Sequence, residues 1–399
     1  MNRKGMLAFA FVALSASSTT LFAGEPTGRR FGDTQLLTAL PTASFPEGVV
    51  VTGTTAYVSG PATFGTAGQG PSEIFEIDTT TGDVVSTLQL VGEDLSQEHA
   101  LSCITTDGAG DLFVLSTQRG VVRINPSTGA QSVYATIPHL TSCNAFPPGP
   151  CEPSSTNCAF PPGPCVSGRC FPPGPCVPGA GGVCFPPGPC APVAVDRGSL
   201  PNDLAFDSEG NLFITDSFQA TIFRVPAGGG AAVPFYQDPR FDTSTIPGFS
   251  IGLNGLRVTP DDGKVVFDVT FGPNAGVYTL PRIFYPPPFT LQLLHAYTNG
   301  ELPDGLALGG NGRAFAYVTL AGSNQVGILD TRGKEYARIS APPSSTLPVG
   351  FDNPANIAFD GRGGILVTNH ALFGNPADAA VLDTMVFDFG APLAHPIIP

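Results

Sequence analysis

Leu204-Ala205-Phe206-Asp207-Ser208-Glu209-Gly210-Asn211-Leu212-Phe213-Ile214-Thr215-Asp216-Ser217 has the pattern of a β-hairpin. Two apolar-rich runs flank an Asp/Ser/Glu/Gly/Asn turn, as short antiparallel strands require. The second run recurs along the chain. It returns as Gly110-Asp111-Leu112-Phe113-Val114-Leu115-Ser116-Thr117 and as Gly263-Lys264-Val265-Val266-Phe267-Asp268-Val269-Thr270. Two later copies are Gly312-Arg313-Ala314-Phe315-Ala316-Tyr317-Val318-Thr319 and Gly363-Gly364-Ile365-Leu366-Val367-Thr368-Asn369-His370. A degenerate earliest copy is Gly53-Thr54-Thr55-Ala56-Tyr57-Val58-Ser59-Gly60. Each copy follows a short apolar strand, such as Ile357-Ala358-Phe359, and precedes a third, such as Val121-Val122-Arg123-Ile124. A turn such as Asn125-Pro126-Ser127-Thr128-Gly129 leads on to a fourth, such as Ser132-Val133-Tyr134-Ala135-Thr136. Four antiparallel strands repeated about every 40–50 residues make a propeller blade.

Six units fit the chain once one insertion is set aside, so the expected fold is an all-β, six-bladed β-propeller. The sixth unit runs out after its third strand, around 386–389, whereas Thr34-Gln35-Leu36-Leu37-Thr38-Ala39-Leu40-Pro41 resembles a fourth strand. That N-terminal strand is expected to complete the last blade and close the ring, leaving only short, protected edges. A pair of β-sandwiches is the competing architecture, and it gives no reason for a fixed repeating unit. Composition agrees with many short strands and tight turns. The 399 residues include 49 Gly and 42 Pro, and 13% are charged against about 25% in ordinary domains. Coiled coils and helical bundles need a different alphabet. A net charge of −14 argues against nucleic acid or anionic membrane as a partner.

The N-terminus reads as a secretory signal peptide over 1–23: Arg3 and Lys4, the apolar run Met6 to Leu14, then Leu21-Phe22-Ala23. A buried N-terminal strand or helix is the competing reading. The run is too short to cross a bilayer, and no other stretch approaches about 18 uninterrupted apolar residues. The expected location is therefore secreted or periplasmic, with no membrane span, in a compartment that permits disulfides. The remaining organisation is 24–141 for the closing strand and blades 1–2, 142–198 for an insertion, and 199–399 for blades 3–6.

The insertion contains Phe-Pro-Pro-Gly-Pro-Cys four times, beginning at Phe146, Phe160, Phe171 and Phe185. Its proline content excludes a helix or a central strand. The simplest disulfide pairing is local: Cys143 with Cys151, Cys158 with Cys165, Cys170 with Cys176, Cys184 with Cys190. Eight cysteines allow 105 connectivities. A zinc site is the competing reading, against which stand the longer gaps within each repeat and the oxidising compartment. Placed between blades 2 and 3, the insertion is expected over the channel mouth, as a lid, an appendage for a protein partner or a protease-resistant guard. A tolerated surface insertion is the plain alternative. Cys103, the ninth cysteine, reads as a buried free thiol.

The residue opening the first strand of each blade carries the chemistry. In order these are Glu47, Ser102, Asn202, Asn254, Asp304 and Ala355. Innermost strands line a propeller's channel, so equivalent positions converge on one axis. Glu47, Asn202, Asn254 and Asp304 are short oxygen donors, with no His or Cys among the six, which favours a hard divalent cation. Calcium tolerates such irregular oxygen coordination best. The remaining positions would face water or a small-molecule substrate, with Ser102 and Asn202 as substrate contacts. Ordinary turn capping explains any one such residue before Gly, but not four in register.

Leu200-Pro201-Asn202-Asp203-Leu204-Ala205-Phe206-Asp207, Leu253-Asn254-Gly255-Leu256, Leu302-Pro303-Asp304-Gly305-Leu306 and Pro46-Glu47-Gly48 together resemble the senescence-marker-protein/gluconolactonase family. The resemblance runs from about Thr34 to Phe389, apart from the insertion. It implies a six-bladed propeller with a divalent cation held by Glu47, Asn254, Asp304 and, directly or through substrate, Asn202. It also implies hydrolysis of lactones or related esters, with Asp304 as first candidate for general base and His99, near the channel mouth, as a second catalytic candidate. The family's substrate-gripping arginine has no counterpart here. The alternatives are a non-catalytic NHL-like propeller that binds protein or glycan, and a strictosidine-synthase-like or lyase propeller.

Overall fold

The computed structural model describes residues 28–140, 198–243, 251–283, 290–298, 300–391 and 396–398. The leader expected over 1–23, and the eight cysteines from Cys143 to Cys190 with their pairing and lid readings, lie outside the described residues. The described chain forms six sheets of four antiparallel strands, the second extended by the two-residue strand Gly230–Ala231. The architecture is an all-β, six-bladed propeller. The innermost strands are Val49–Thr52, Leu101–Thr106, Pro201–Phe206, Leu253–Val258, Pro303–Leu308 and Pro354–Phe359. In the sixth sheet Thr34–Ala39 pairs antiparallel with Ala380–Met385, so the N-terminal strand is the outermost strand of the blade built from the C-terminal end.

Burial explains the composition of the strands. The second strand Leu112–Ser116 is buried throughout, while the outer strand Val84–Gln89 is almost wholly exposed. Inner strands are covered on both faces by neighbouring blades and so read as unbroken apolar runs. Six hydrophobic clusters result, one at each junction between successive blades, including the junction of blades 6 and 1 around Val58, Phe75, Leu366 and Val381. Between blades 2 and 3, Phe113 and Phe206 meet edge to face with ring centroids 4.9 Å apart. Residues 396–398 cross to the same junction: Ile398 is buried there, its N–H donates to Asp107 Oδ2 and its carbonyl accepts from Arg123.

Two local features aim the inner-strand residues at the axis. In blades 2 to 6 the register against the second strand shifts within the first turn of the inner strand, between Pro201 and Leu204 or between Pro303 and Leu306, for example. Bulges of this kind redirect side chains, and Ser102, Asn202, Asn254, Asp304 and Ala355 all lie inside them. The glycine after a ring residue serves close packing rather than a turn. A Cβ on Gly305 would lie 2.4 Å from the Ala355 carbonyl oxygen, and one on Gly255 2.5 Å from that of Asp304.

Hydroxyl groups then lock blade to blade. Thr215, Thr319 and Thr368 each accept from an N–H of their own inner strand and donate to the ring-residue carbonyl of the next blade. Ser59 donates likewise to the Ser102 carbonyl. In four of the six repeats the small hydroxyl residue near the end of the second strand is such a pin, while blade 2 has Leu115 there. Blade 4 has Asp268 in the same position, and Ser102 bridges blades 2 and 3 by donating to the Pro201 carbonyl over 2.9 Å.

Candidate functional site

The pinned inner strands bring Glu47, Ser102, Asn202, Asn254 and Asp304 to the floor of one cavity of about 250 Å³. All five are buried. Asn254 Nδ2 donates to Asp304 Oδ1 over 2.6 Å and to Thr270 Oγ1 over 3.0 Å. Asn202 Nδ2 donates to Ser217 Oγ over 3.2 Å, while its Oδ1 is buried with no hydrogen-bond partner. A buried acceptor left without a donor costs about 1–3 kcal/mol.

Burial dominates the titration of the carboxyl groups. It raises the Asp304 pKa to about 8, with Asp203 adding to the rise and the Asn254 amide opposing it. Burial, then Asp304, then Asp203 push Glu47 well above the ordinary range. His370 stands beside Glu47, its Nδ1 3.3 Å from Glu47 Oε2. Its Nε2 is 2.7 Å from the Ala62 carbonyl, which can only accept, so Nε2 carries a proton. Burial lowers the His370 pKa to about 4, so the ring is neutral and Nδ1 presents a lone pair to the carboxylate. Two acceptors in contact need a proton or a cation between them.

A second polar tier lies beneath. Asp203 Oδ2 accepts from Arg257 Nη1 over 2.6 Å and from the Leu256 N–H over 2.8 Å. Arg257 Nη2 donates to Asn356 Oδ1 over 3.0 Å, and Asn356 Nδ2 lies 2.7 Å from the Cys103 sulfur. Cys103 is a free, buried thiol whose pKa is raised by burial and by Asp203 and Glu47. This tier closes the channel at mid-depth; Arg257 faces a separate cavity of about 200 Å³ at the opposite end. Among the described residues the axis thus gathers Glu47, Asp203, Asp268 and Asp304 around the guanidinium of Arg257.

Among the described residues, no group of three or more His, Cys, Asp or Glu side chains has the arrangement of a metal site. The ring instead offers two carboxylates and two carboxamides. That set fits a hard divalent cation on three counts: the partnerless Asn202 Oδ1, the facing acceptors of Glu47 and His370, and an excess of buried acid over base.

No protein-family model matches the chain, and no curated protein matches it in sequence. Solved structures do. A calcium-binding protein, regucalcin from Agrobacterium tumefaciens, superposes with a TM-score of 0.55 at 15% identity, over 92% of this chain and 98% of that one. Luciferin-regenerating enzyme gives 0.54 at 11% identity, over 92% and 99%. A gluconolactonase from Xanthomonas campestris gives 0.49 at 13% identity, over 88% of each chain. The chain has the regucalcin-like propeller fold. At these identities the likeness is one of fold.

Within this regucalcin-like propeller the four oxygen donors read from the sequence share one cavity floor. His99 is different. Its Nδ1 lies 3.0 Å from the Gln97 carbonyl and its Nε2 2.8 Å from the Gly70 carbonyl, so both nitrogens serve as donors to main chain. Burial alone would lower its pKa, but these two hydrogen bonds outweigh that and raise it. It lines the cavity wall with both ring nitrogens engaged by main-chain carbonyls. Ser102 reaches the floor with its hydroxyl proton committed to the Pro201 carbonyl, so it can meet a ligand only as an acceptor. Asp203, Arg257, Asn356 and Asp268 were not singled out in the sequence. Asp268 carried a signal, because it stands where other repeats have a hydroxyl residue.

Proposed function

We propose that the protein is an exported, divalent-cation-dependent hydrolase of a lactone or related ester, with calcium the best-fitting ion. The observation that carries this reading is the convergence of Glu47, Asn202, Asn254 and Asp304 on the floor of one cavity, with a buried acceptor among them lacking any partner. Those four residues would hold the ion, which when bound supplies a Lewis acid for the substrate carbonyl oxygen. Asp304 acts as general base. Asn254 fixes one of its carboxylate oxygens, and the other takes a proton from the attacking water. The water oxygen bonds to the acyl carbon, the ester C–O bond breaks, and Asp304 returns the proton to the leaving oxygen. Burial raises the Asp304 pKa to about 8 in the metal-free site, and a bound dication would lower it, leaving the carboxylate ionised to act as base. Asn254 keeps Asp304 in place. Support from fold comes from the regucalcin-like and luciferin-regenerating-enzyme-like neighbours. Export is supported by the basic and apolar character of residues 1–23.

The test is a panel of lactones and aryl esters assayed with chelator-treated protein, with and without added calcium. Turnover that needs calcium and is lost in Asp304→Asn supports the reading. Turnover indifferent to chelator, or retained by Asp304→Asn, refutes it.

A further inference from the structure

The walls above the ring differ sharply from its floor. Leu200 and Phe218 from blade 3, Ile251 and Phe271 from blade 4 and Leu302 from blade 5 are half-buried around the cavity. Phe64 and Phe373, from blades 1 and 6, stand at the rim, 53% and 59% exposed. Apolar side chains from five blades therefore surround one opening, in loops that water would otherwise solvate. Such a collar marks a surface that something apolar covers.

Several polar side chains in the same wall are turned into the fold. Ser199 Oγ donates to Asp216 Oδ2 over 2.5 Å. Thr117 Oγ1 accepts from the Ala100 N–H, and Asn353 spends its amide on the Ala321 carbonyl and the Phe373 N–H. Thr270 Oγ1 accepts from Asn254. Apart from His99 and His370, the ionisable side chains of the described lining are Glu47, Glu98 and Asp304, all acidic, with no Lys or Arg. Glu98 is tied to the loop at Gly65 and Thr66.

We propose that the site takes a neutral, apolar acyl substrate, an alkyl- or aryl-substituted lactone or ester, and rejects polyhydroxylated and anionic ones. This rests on the hydrolase reading above and names its substrate class. A sugar hydroxyl placed against the walls above the ring loses water and meets side chains whose hydrogen bonds are already made, which is a basis for rejection. A phosphate or carboxylate meets acidic groups and no Lys or Arg in the described lining, and the ring carboxylates already offset the charge of the ion. An alkyl chain displaces water from the collar, leaving its carbonyl at the ring.

The experiment uses calcium-loaded protein and a γ-lactone series from γ-butyrolactone upward, beside glucono-δ-lactone. At about 0.8 kcal/mol per buried methylene, kcat/KM should rise roughly fourfold per carbon, on the order of 10²-fold over four carbons. Glucono-δ-lactone should fall well below the best alkyl lactone. Phe271→Asn and Leu302→Asn should flatten the chain-length dependence; Leu302 has φ 53°, a conformation asparagine tolerates. A parallel series of non-hydrolysable γ-alkyl lactams, followed by thermal shift, reads binding alone. Hydrolysis of glucono-δ-lactone with no gain along the alkyl series overturns the apolar class while the hydrolase reading stands. Lactam binding that strengthens with chain length and weakens in both variants, without turnover of any lactone, supports the class and overturns the hydrolase reading. Neither turnover nor lactam binding overturns both.

Discussion

Replacing Asp268 with Thr should stabilise the protein. In three blades a threonine at this position accepts an N–H from its own inner strand and donates to the next ring-residue carbonyl, over 2.5 Å for Thr215, 2.6 Å for Thr319 and 2.7 Å for Thr368. Asp268 does half of this. Its Oδ1 accepts from the Gly255 N–H over 3.2 Å, while its buried Oδ2 has no partner. Oδ2 and the Asp304 carbonyl oxygen both flank the point where a Gly255 Cβ would stand, 2.7 Å and 2.5 Å from it. Burial, then Asp304, then Asp203 push the Asp268 pKa well above the ordinary value. Because the folded state holds that proton more tightly than the unfolded state, the group's stabilising contribution is full below the unfolded pKa and is lost as pH rises toward the folded one. Threonine removes this loss, relieves an unsatisfied atom worth about 1–3 kcal/mol and restores a hydrogen bond worth about 0.5–1.5 kcal/mol. The lost packing of the longer side chain offsets part of this, so a net gain of about 1–3 kcal/mol is expected at neutral pH. At about 2.1 cal/mol/K per residue that is a rise in Tm of roughly 1–4 °C. Denaturant unfolding of chelator-treated protein from pH 4 to 8 measures it. A variant that is less stable than wild type across the range, or that keeps the wild-type pH slope, would refute the reasoning.

Other consequences are as direct. Chelator-treated protein should lose stability as pH rises through about 8, because the raised Asp304 pKa favours the folded state only while the proton is bound. Calcium should flatten that slope, and a slope unchanged by calcium would count against the assignment. Gly305→Ala should cost about 1–3 kcal/mol in denaturant unfolding, since its Cβ would lie 2.4 Å from the Ala355 carbonyl oxygen; a cost below about 0.5 kcal/mol would contradict the close approach of inner strands. His99→Gln should lower stability by about 1–2 kcal/mol while leaving calcium affinity unchanged, because both ring nitrogens serve main-chain carbonyls. A large fall in calcium affinity in that variant would contradict this.

The propeller was legible because its period is written in side chains. Alternating apolar strands with small polar endings repeat from blade to blade, and in four blades the structure gives Ser59, Thr215, Thr319 and Thr368 a task, the pin to the next blade. Glu47, Asn202, Asn254 and Asp304 were legible for the same reason: equivalent positions in a rotational repeat must meet on the axis. Side-chain direction within a blade was not legible. His99 lies close in sequence to the ring position of blade 2, yet local carbonyls at Gln97 and Gly70 hold its ring. Arg257 lies three residues beyond Asn254 and reaches across to Asp203 and Asn356 in other blades. Contacts of that kind depend on how far each inner strand slides past the next, which no single repeat encodes. The crossing of Ile398 to blade 2 was unreadable for the same reason.

Calorimetric titration of calcium into chelator-treated protein tests the central claim most directly. Wild type should bind at one site, Glu47→Gln and Asp304→Asn should each bind roughly tenfold or more weakly, and His99→Gln should bind as wild type does. Absence of binding in wild type that also retains no tightly held metal, or equal binding by Asp304→Asn, would contradict the account.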